Sequence, residues 1–258
     1  GIYANNTYPA DFITQNLLIQ THVIKAAHSF GVKKMLFIGS SCVYPVITDQ
    51  KIRESDLLSD KLEPTNEPYA LAKIAGIKMC ESFNRQHDTD YRSVMPTNLF
   101  GPGDNFHSIN SHVMAALIRK FIIAKKNNLQ NVDVWGTGNP RREFLYVDDM
   151  ADAVLLISNM DKAKYKKITN TRISHINIGS GKDYSIKQIA NLISKSVNFK
   201  GKIKFDLSKE DGVQRKLLSG KILRSLQWKP KYSLEKKLDS YIKKIINNNY
   251  KKILKINS

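Results

Sequence analysis

Cysteine is nearly absent from this chain of 258 residues. Cys42 and Cys80 are too few for a disulfide framework in 29.3 kDa and fit two free thiols in a reducing compartment. No apolar run approaches the ~20 residues that a membrane span needs, and Gly1 opens no basic-then-apolar leader. The sequence therefore reads as a soluble, cytoplasmic protein without membrane contact. Histidine is sparse too: His22, His28, His87 and His175 lack ligand-like spacing, which argues against a metal site. Acidic residues run short only in the last third. Residues 1–150 carry 16 Lys/Arg against 15 Asp/Glu, whereas residues 151–258 carry 25 against 8. Those lysines stand as scattered pairs between apolar residues with no interleaved aromatics, so solvated helix faces explain them better than a specific nucleic-acid surface.

What is present is enough apolar material, 41%, for a real core in one large or two small domains. Residues 11–30 put Phe12, Ile19, Val23, Ala26 and Phe30 on one helical stripe, with Asp11 as a candidate cap. Met35 to Ile38 is an uninterrupted apolar run ending in Gly39-Ser40-Ser41, the pattern of a strand covered on both faces. A polar, proline-punctuated loop over 44–68 follows. Residues 69–87 return to helical period, and Arg92 to Leu99 reads as one further buried strand. Helices over 112–126, 148–160 and 185–197 alternate with strands over 132–135, 142–146, 175–179 and 202–205, and two lysine-rich helices finish the chain. Alternation of this kind predicts an α/β fold, a Rossmann-like parallel sheet with helical layers, whose chemistry sits at the carboxyl ends of its strands.

At those ends three polar groups converge. Ser40 closes the first buried strand, and Tyr69-Ala70-Leu71-Ala72-Lys73 places a phenol and an ammonium at i and i+4 on one helix face. A phenol beside a cation, with a hydroxyl nearby, can pass a proton to a carbonyl oxygen, the cation lowering the cost of the phenolate. Tyr-x-x-x-Lys alone is a weak pattern; the serine at a strand end strengthens it.

Three segments carry a closer resemblance: Gly39-Ser40-Ser41-Cys42-Val43-Tyr44-Pro45, Glu63-Pro64-Thr65-Asn66-Glu67-Pro68-Tyr69-Ala70, and Pro96-Thr97-Asn98-Leu99-Phe100-Gly101-Pro102-Gly103-Asp104-Asn105-Phe106. Together with Asn110-Ser111-His112 they resemble the extended short-chain dehydrogenase/reductase superfamily and, within it, the GDP-L-fucose synthase family. That resemblance implies NADPH-dependent 3,5-epimerisation and 4-reduction of GDP-4-keto-6-deoxy-D-mannose. It implies Ser40, Tyr69 and Lys73 as the reductase triad and Cys42 and His112 as the acid/base pair for inversion at C3 and C5. Ser40, Tyr69, Lys73, Pro96, Asn98, Leu99 and His112 would meet NADP; Lys120, Trp135, Arg142 and Lys216 would meet the GDP-sugar. Lys120 stands where the family usually carries arginine, so the charge is kept and the fork is lost. Helices 11–30 and 69–87 resemble those the superfamily packs into a homodimer. For Cys42 the plainer reading is a small buried hydrophobe, for His112 a solvated helix start, for Trp135 core filler and for Lys216 a solvated cation.

A Gly-x-x-Gly-x-x-Gly turn between a strand and a helix would cradle the dinucleotide pyrophosphate. The sequence has none. The resemblance then predicts a fragment that lacks the first strands of its sheet, with apolar edges such as Met35–Ile38 left open. The expected layout is an incomplete NADP-binding domain over 1–101 and 144–181 and a nucleotide-sugar domain over 102–143 and 182–258. Two alternatives stand beside this reading: another nucleotide-sugar epimerase or dehydratase of the same superfamily, and a non-catalytic scaffold with a basic C-terminal third.

Overall fold

The computed structural model describes residues 2–247. It opens with α1 (Ile2–Thr7) and α2 (Pro9–Ser29), then β1 (Lys34–Ile38) and α3 (Glu67–His87). Next come β2 (Asp90–Pro96), β3 (Asn98–Phe100), α4 (Val113–Lys126), β4 (Asn131–Trp135) and β5 (Arg141–Tyr146). The chain continues through α5 (Val147–Asn159), α6 (Lys162–Ile168), β6 (His175–Ile178), β7 (Asp183–Ser185) and α7 (Ile186–Val197). It closes with β8 (Lys202–Asp206), β9 (Arg215–Lys216), α8 (Lys221–Ser225) and α9 (Leu234–Asn247). Lys251 and Lys252, expected in the last lysine-rich helix, lie outside the described residues.

One sheet runs β1-β2-β6, all parallel, with Ile38 opposite Val94 and Ser93 opposite His175. β1 stands at its edge among the described residues, and Ile38 is exposed. A second sheet joins β3, β5, β7 and β9, antiparallel only between β5 and β7, and β4 pairs with β8 in parallel. The largest core gathers α4, α7 and α9 around β4 and β5 through Phe121, Phe144, Ile189 and Leu238. A separate core lies between the first sheet and α5, built on Val94, Ile157 and Ile176.

Three expectations change on contact with the structure. The single strand over 92–99 is two strands in two sheets, β2 ending at Pro96, which has no N–H to donate. Thr97 still donates its N–H to the Ile178 carbonyl at 3.0 Å, and Asn98 then pairs with Phe144 of β5. α2 starts at Pro9 with no side-chain cap, so Asp11 lies inside its first turn and does not cap it. Its apolar stripe also faces outward: Ile19 is 63% and Phe30 87% exposed, whereas Gln20 and Ile24 are buried. Gln20 donates its side-chain amide to the Ala72 carbonyl of α3. α7 follows expectation and shows why: Ser185 and Gln188 cap one another reciprocally, at 3.1 and 2.8 Å.

His175 is fully buried on β6, and neither ring nitrogen has a hydrogen-bond partner. Burial pushes its pKa down to about 4, the Lys78 cation adds to the fall, and the Glu54 backbone opposes it slightly. The unfolded imidazole titrates near 6.5. Folding thus keeps its full stability above about pH 6.5 and loses on the order of 3 kcal/mol as pH falls through that window toward 4. Urea titrations at neutral and mildly acidic pH should show this loss, and His175→Leu should flatten it. An equal acid sensitivity in the variant would assign the loss to other groups.

Candidate active site

The turn after β1 brings the first groups together. Gly39 has no room for a side chain, since a Cβ would stand 2.5 Å from the Met95 sulfur, so the chain leaves the sheet tightly against β2. Ser40 then caps a single helical turn over Ser41–Val43, its hydroxyl accepting from the Cys42 N–H at 3.2 Å. The approach to α3 is fixed in the same way. The Glu63 carboxylate accepts the Thr65 and Asn66 N–H groups, both at 3.1 Å, and Pro68 pre-sets the first turn that carries Tyr69.

Tyr69 is half-buried, with Phe12 edge-on at 6.2 Å between ring centroids. Burial pushes its phenol up to about 12; Cys42 adds to the rise and the Ser40 hydroxyl opposes it. Lys73 donates to the Ile38 carbonyl at 3.2 Å, and its ammonium stands 5.8 Å from the Tyr69 ring centre. Burial lowers the Lys73 pKa. The sequence reading made Lys73 the group that eases phenolate formation. In the structure burial and Cys42 set the phenol, with only the Ser40 hydroxyl opposing, and Tyr69 is held as a neutral phenol, a donor.

Cys42 is only partly buried. The Lys216 ammonium lies 3.9 Å from its sulfur, and β9 sets Lys216 directly beside Arg142 of β5. Arg142 donates to the Arg141 and Val213 carbonyls; burial lowers its pKa, with Cys42 and Asp211 opposing. Ser40, Tyr69, Cys42, Arg142 and Lys216 thus form one cluster. Trp135 is no core filler: it is 62% exposed, with the Lys120 ammonium 5.4 Å and the Lys209 ammonium 5.9 Å from its ring centre. Lys120 also donates to the Asp133 carbonyl at 2.8 Å.

His112 lies on a different element, at the start of α4. It is the N-cap of α4, accessible to solvent, and faces Asp104 across the loop. Burial of its surroundings lowers its pKa, and Asp104 opposes the shift, so the imidazole is neutral at pH 7. Pro96, Asn98 and Leu99 line the crossing between the two sheets, where Asn98 donates to the Glu143 carbonyl at 3.0 Å.

Two residues at the site were not read from the sequence. Asp211 accepts both the Thr137 N–H, at 2.9 Å, and its hydroxyl, at 2.6 Å, pinning the loop after β8 beside Arg142. Glu143 is a fully buried carboxylate in the middle of β5. A lone acid between Arg142 and Phe144, where the strand turns from charged to apolar residues, was the available signal, since a buried charge persists only with partners.

Residues 1–179 match the family described as the NAD dependent epimerase/dehydratase family. The chain is 53% identical over 248 residues to GDP-L-fucose synthase of Escherichia coli (strain K12), which covers 96% of this chain and 77% of that protein. It is 52% identical over 251 residues to GDP-L-fucose synthase 1 of Arabidopsis thaliana, covering 96% and 75% respectively. Among solved structures, a GDP-6-OMe-4-keto-L-xylo-heptose reductase from C. jejuni superposes with a TM-score of 0.88 at 34% identity, over 95% of this chain and 79% of that one. A GDP-L-fucose synthetase from Naegleria fowleri bound to NADP superposes at 0.84 with 28% identity, over 94% and 75%.

Proposed function

The chain belongs to the NAD dependent epimerase/dehydratase family, and from that membership we propose that it converts GDP-4-keto-6-deoxy-D-mannose to GDP-L-fucose. The conversion combines 3,5-epimerisation with NADPH-dependent 4-reduction. The observation that carries this reading is the convergence of Ser40, Tyr69 and Cys42 with Arg142 and Lys216 beside the carboxyl end of β1. One cluster thus holds a phenolic donor, a thiol and two cations.

The residues present fit a nicotinamide cofactor. Lys73 has three donors and spends one on the Ile38 carbonyl, leaving two for ribose hydroxyls. Pro96, Asn98 and Leu99 follow β2, the strand paired with β1, so both groups lie at one end of the sheet. When bound, NADPH supplies a hydride for C4. Tyr69 gives its proton to the C4 oxygen, Ser40 holds that oxygen, and Lys73 keeps the phenol and the ribose in place. Cys42 and His112 exchange protons at C3 and C5, carbons made acidic by the adjacent ketone. Their placement on separate elements, the turn after β1 and the start of α4, suits removal from one face and return to the other. Arg142 and Lys120 bind the diphosphate, and Trp135 and Lys216 line the remaining nucleotide-sugar pocket.

Incubation of these residues, in a form that also carries a dinucleotide-binding strand-turn-helix, with NADPH and GDP-4-keto-6-deoxy-D-mannose should consume both and yield GDP-L-fucose, identified by NMR of the product. Release of a 4-keto or un-inverted sugar as the sole product would favour another nucleotide-sugar enzyme. Within this reading, Arg142→Lys should raise KM about tenfold with a smaller change in kcat, because a point charge replaces a fork on the diphosphate. Steady-state kinetics decides; an unchanged KM would remove Arg142 from the substrate.

The proposal extends to assembly and layout. Leu18, Ile19, Val23 and Phe30 of α2 and Leu71 of α3 form an exposed apolar face, which supports a homodimer packed through these two helices. Sedimentation should report a dimer, and Ile19→Asp with Val23→Asp should yield monomers; a dimer indifferent to both changes would place the interface elsewhere. The layout proposed is a cofactor part over 1–101 and 144–181 and a substrate part over 102–143 and 182–258; the two cores follow it in most of their members, with Phe100, Phe144 and Tyr146 packing into the second part's core and Leu223 and Trp228 into the first's. No helix of the described residues is long and apolar enough to cross a membrane. With its two unpaired cysteines, this supports a cytoplasmic enzyme.

A further inference from the structure

Glu143 has no solvent exposure and, among the described residues, no cation for a partner, yet its carboxylate takes hydrogen bonds on both oxygens. One oxygen, Oε1, accepts the Gly181 N–H at 2.6 Å and stands 3.4 Å from the Ser180 hydroxyl. The other, Oε2, accepts the Leu218 N–H at 2.9 Å. Its backbone carbonyl accepts twice more, from the Thr97 hydroxyl at 3.1 Å and the Asn98 amide at 3.0 Å. One residue therefore ties together the crossing of the two sheets at 97–98, the turn after β6, and the segment that follows β9.

That last segment carries Lys216. On one side β9 pairs with Arg141 and Arg142, and on the other Ile52 exchanges hydrogen bonds with Leu217 and Ser219 at 2.9 and 2.7 Å. Arg215, next to Lys216, adds an ion pair to Asp183 at 2.6 Å. Between these flanking contacts the bond from Leu218 to Glu143 ties the segment to β5, two residues beyond the ammonium that stands 3.9 Å from the Cys42 sulfur. Space around the carboxylate is closed as well, since a Cβ on Gly179 would come within 2.5 Å of Oε1. A buried carboxylate is costly unless its hydrogen bonds hold it; here they hold the segment next to Lys216, the residue of it that reaches the Cys42 sulfur.

The geometry assigns Glu143 as a positioning residue, touching neither substrate nor cofactor, that sets the Lys216 ammonium against the Cys42 thiol and so prepares Cys42 for proton transfer. This rests on the role given to Cys42 in the proposed function. The groups around that thiol are Lys216, Arg142 and Tyr69. A cation held against a sulfur attracts the negative charge that builds there as a proton leaves or an alkylating agent is attacked.

The test is the rate of iodoacetamide alkylation of Cys42 in the full chain near neutral pH, followed by peptide mass spectrometry. Buried Cys80 serves as the internal monitor of unfolding. Glu143→Gln keeps the shape but presents an NH2 to one of the two backbone donors, which lets the segment shift. Alkylation of Cys42 should fall about threefold or more. Lys216→Met should give a fall of similar size, and the double variant Glu143→Gln/Lys216→Met should fall no further. Loss of a negative charge near the thiol would by itself raise the rate, and loosened packing would raise it at both cysteines, so the sign separates positioning from either effect. Should Glu143→Gln unfold and expose Cys80, Gly179→Ala decides, because it displaces the carboxylate and keeps its charge; the same fall is expected. An unchanged or faster rate in whichever of these two variants is folded overturns the assignment, as does a further fall in the double variant. Alkylation reads Cys42 without turnover, so failure of the chain to make GDP-L-fucose and failure of this assignment are separate results.

Discussion

Tyr69→Phe is expected to cut the rate of C4 reduction by on the order of a thousandfold, within the range typical for loss of a general acid. GDP-sugar binding should stay close to wild type. The substitution removes one oxygen and leaves the ring, with its edge-on contact to Phe12, where it was. Nothing else nearby replaces the lost proton. Lys73 is held on the Ile38 carbonyl and Ser40 is engaged with the Cys42 N–H. Because burial and Cys42 push the phenol up to about 12, with only the Ser40 hydroxyl opposing, Tyr69 stays protonated across the range in which the fold is stable. Reduction in the unmodified chain should therefore show no alkaline loss from this group below about pH 10. Single-turnover NADPH oxidation measures both. A variant within tenfold of wild type would move the acid to another residue.

Cys42→Ser and His112→Ala should each slow solvent deuterium incorporation at C3 and C5 by about a hundredfold or more. Hydride-coupled chemistry at C4 should be less affected. Serine matches cysteine in shape, but at neutral pH its hydroxyl does not exchange a carbon-bound proton, and the Lys216 ammonium then faces an oxygen that stays protonated. At His112, burial outweighs the pull of Asp104 and keeps the imidazole neutral, so alanine removes a ready acceptor. If inversion slows more than reduction, an un-inverted 4-reduced sugar should accumulate, visible by NMR. Exchange at wild-type rates in both variants would return Cys42 to packing and His112 to capping α4.

Much of the layout could be read before the structure. The apolar run at 35–38 and the helical period from 185 express local rules, and both elements form within a residue or so of expectation, although β1, read as covered on both faces, stands at the sheet edge with no buried residue. The strand break at Thr97 was hidden because proline does not interrupt an apolar pattern, only a hydrogen-bond ladder. The outward stripe on α2 was legible as amphipathic, but periodicity does not say whether the apolar side meets its own chain or another surface. At the site, Ser40 and Tyr69 lie near one another in the fold, as read from the strand end and the helix that follows it, and Cys42, which only the resemblance implied, lies beside both. Their tie to Arg142 and Lys216 depends on pairing between β5 and β9, a contact between distant segments that no local pattern encodes. Glu143 and Asp211 escaped for the same reason: their meaning lies in the backbone groups that turn toward them.

The order of pairing has a consequence for biosynthesis. β1 and β2 leave the ribosome long before β6, whose His175 lies opposite Ser93 in the register. Throughout that interval β2 has only β1 beside it, and its Tyr91, Val94 and Met95, all buried in the finished sheet, wait for cover. Non-local sheets of this kind assemble slowly and expose apolar surface while they do. Lys216 emerges later still, so a nascent chain can fold its first sheet while Cys42 remains without its ammonium. The reactive couple is then completed only as the last pairing closes, which leaves the thiol chemically quiet during the period when the chain is least protected.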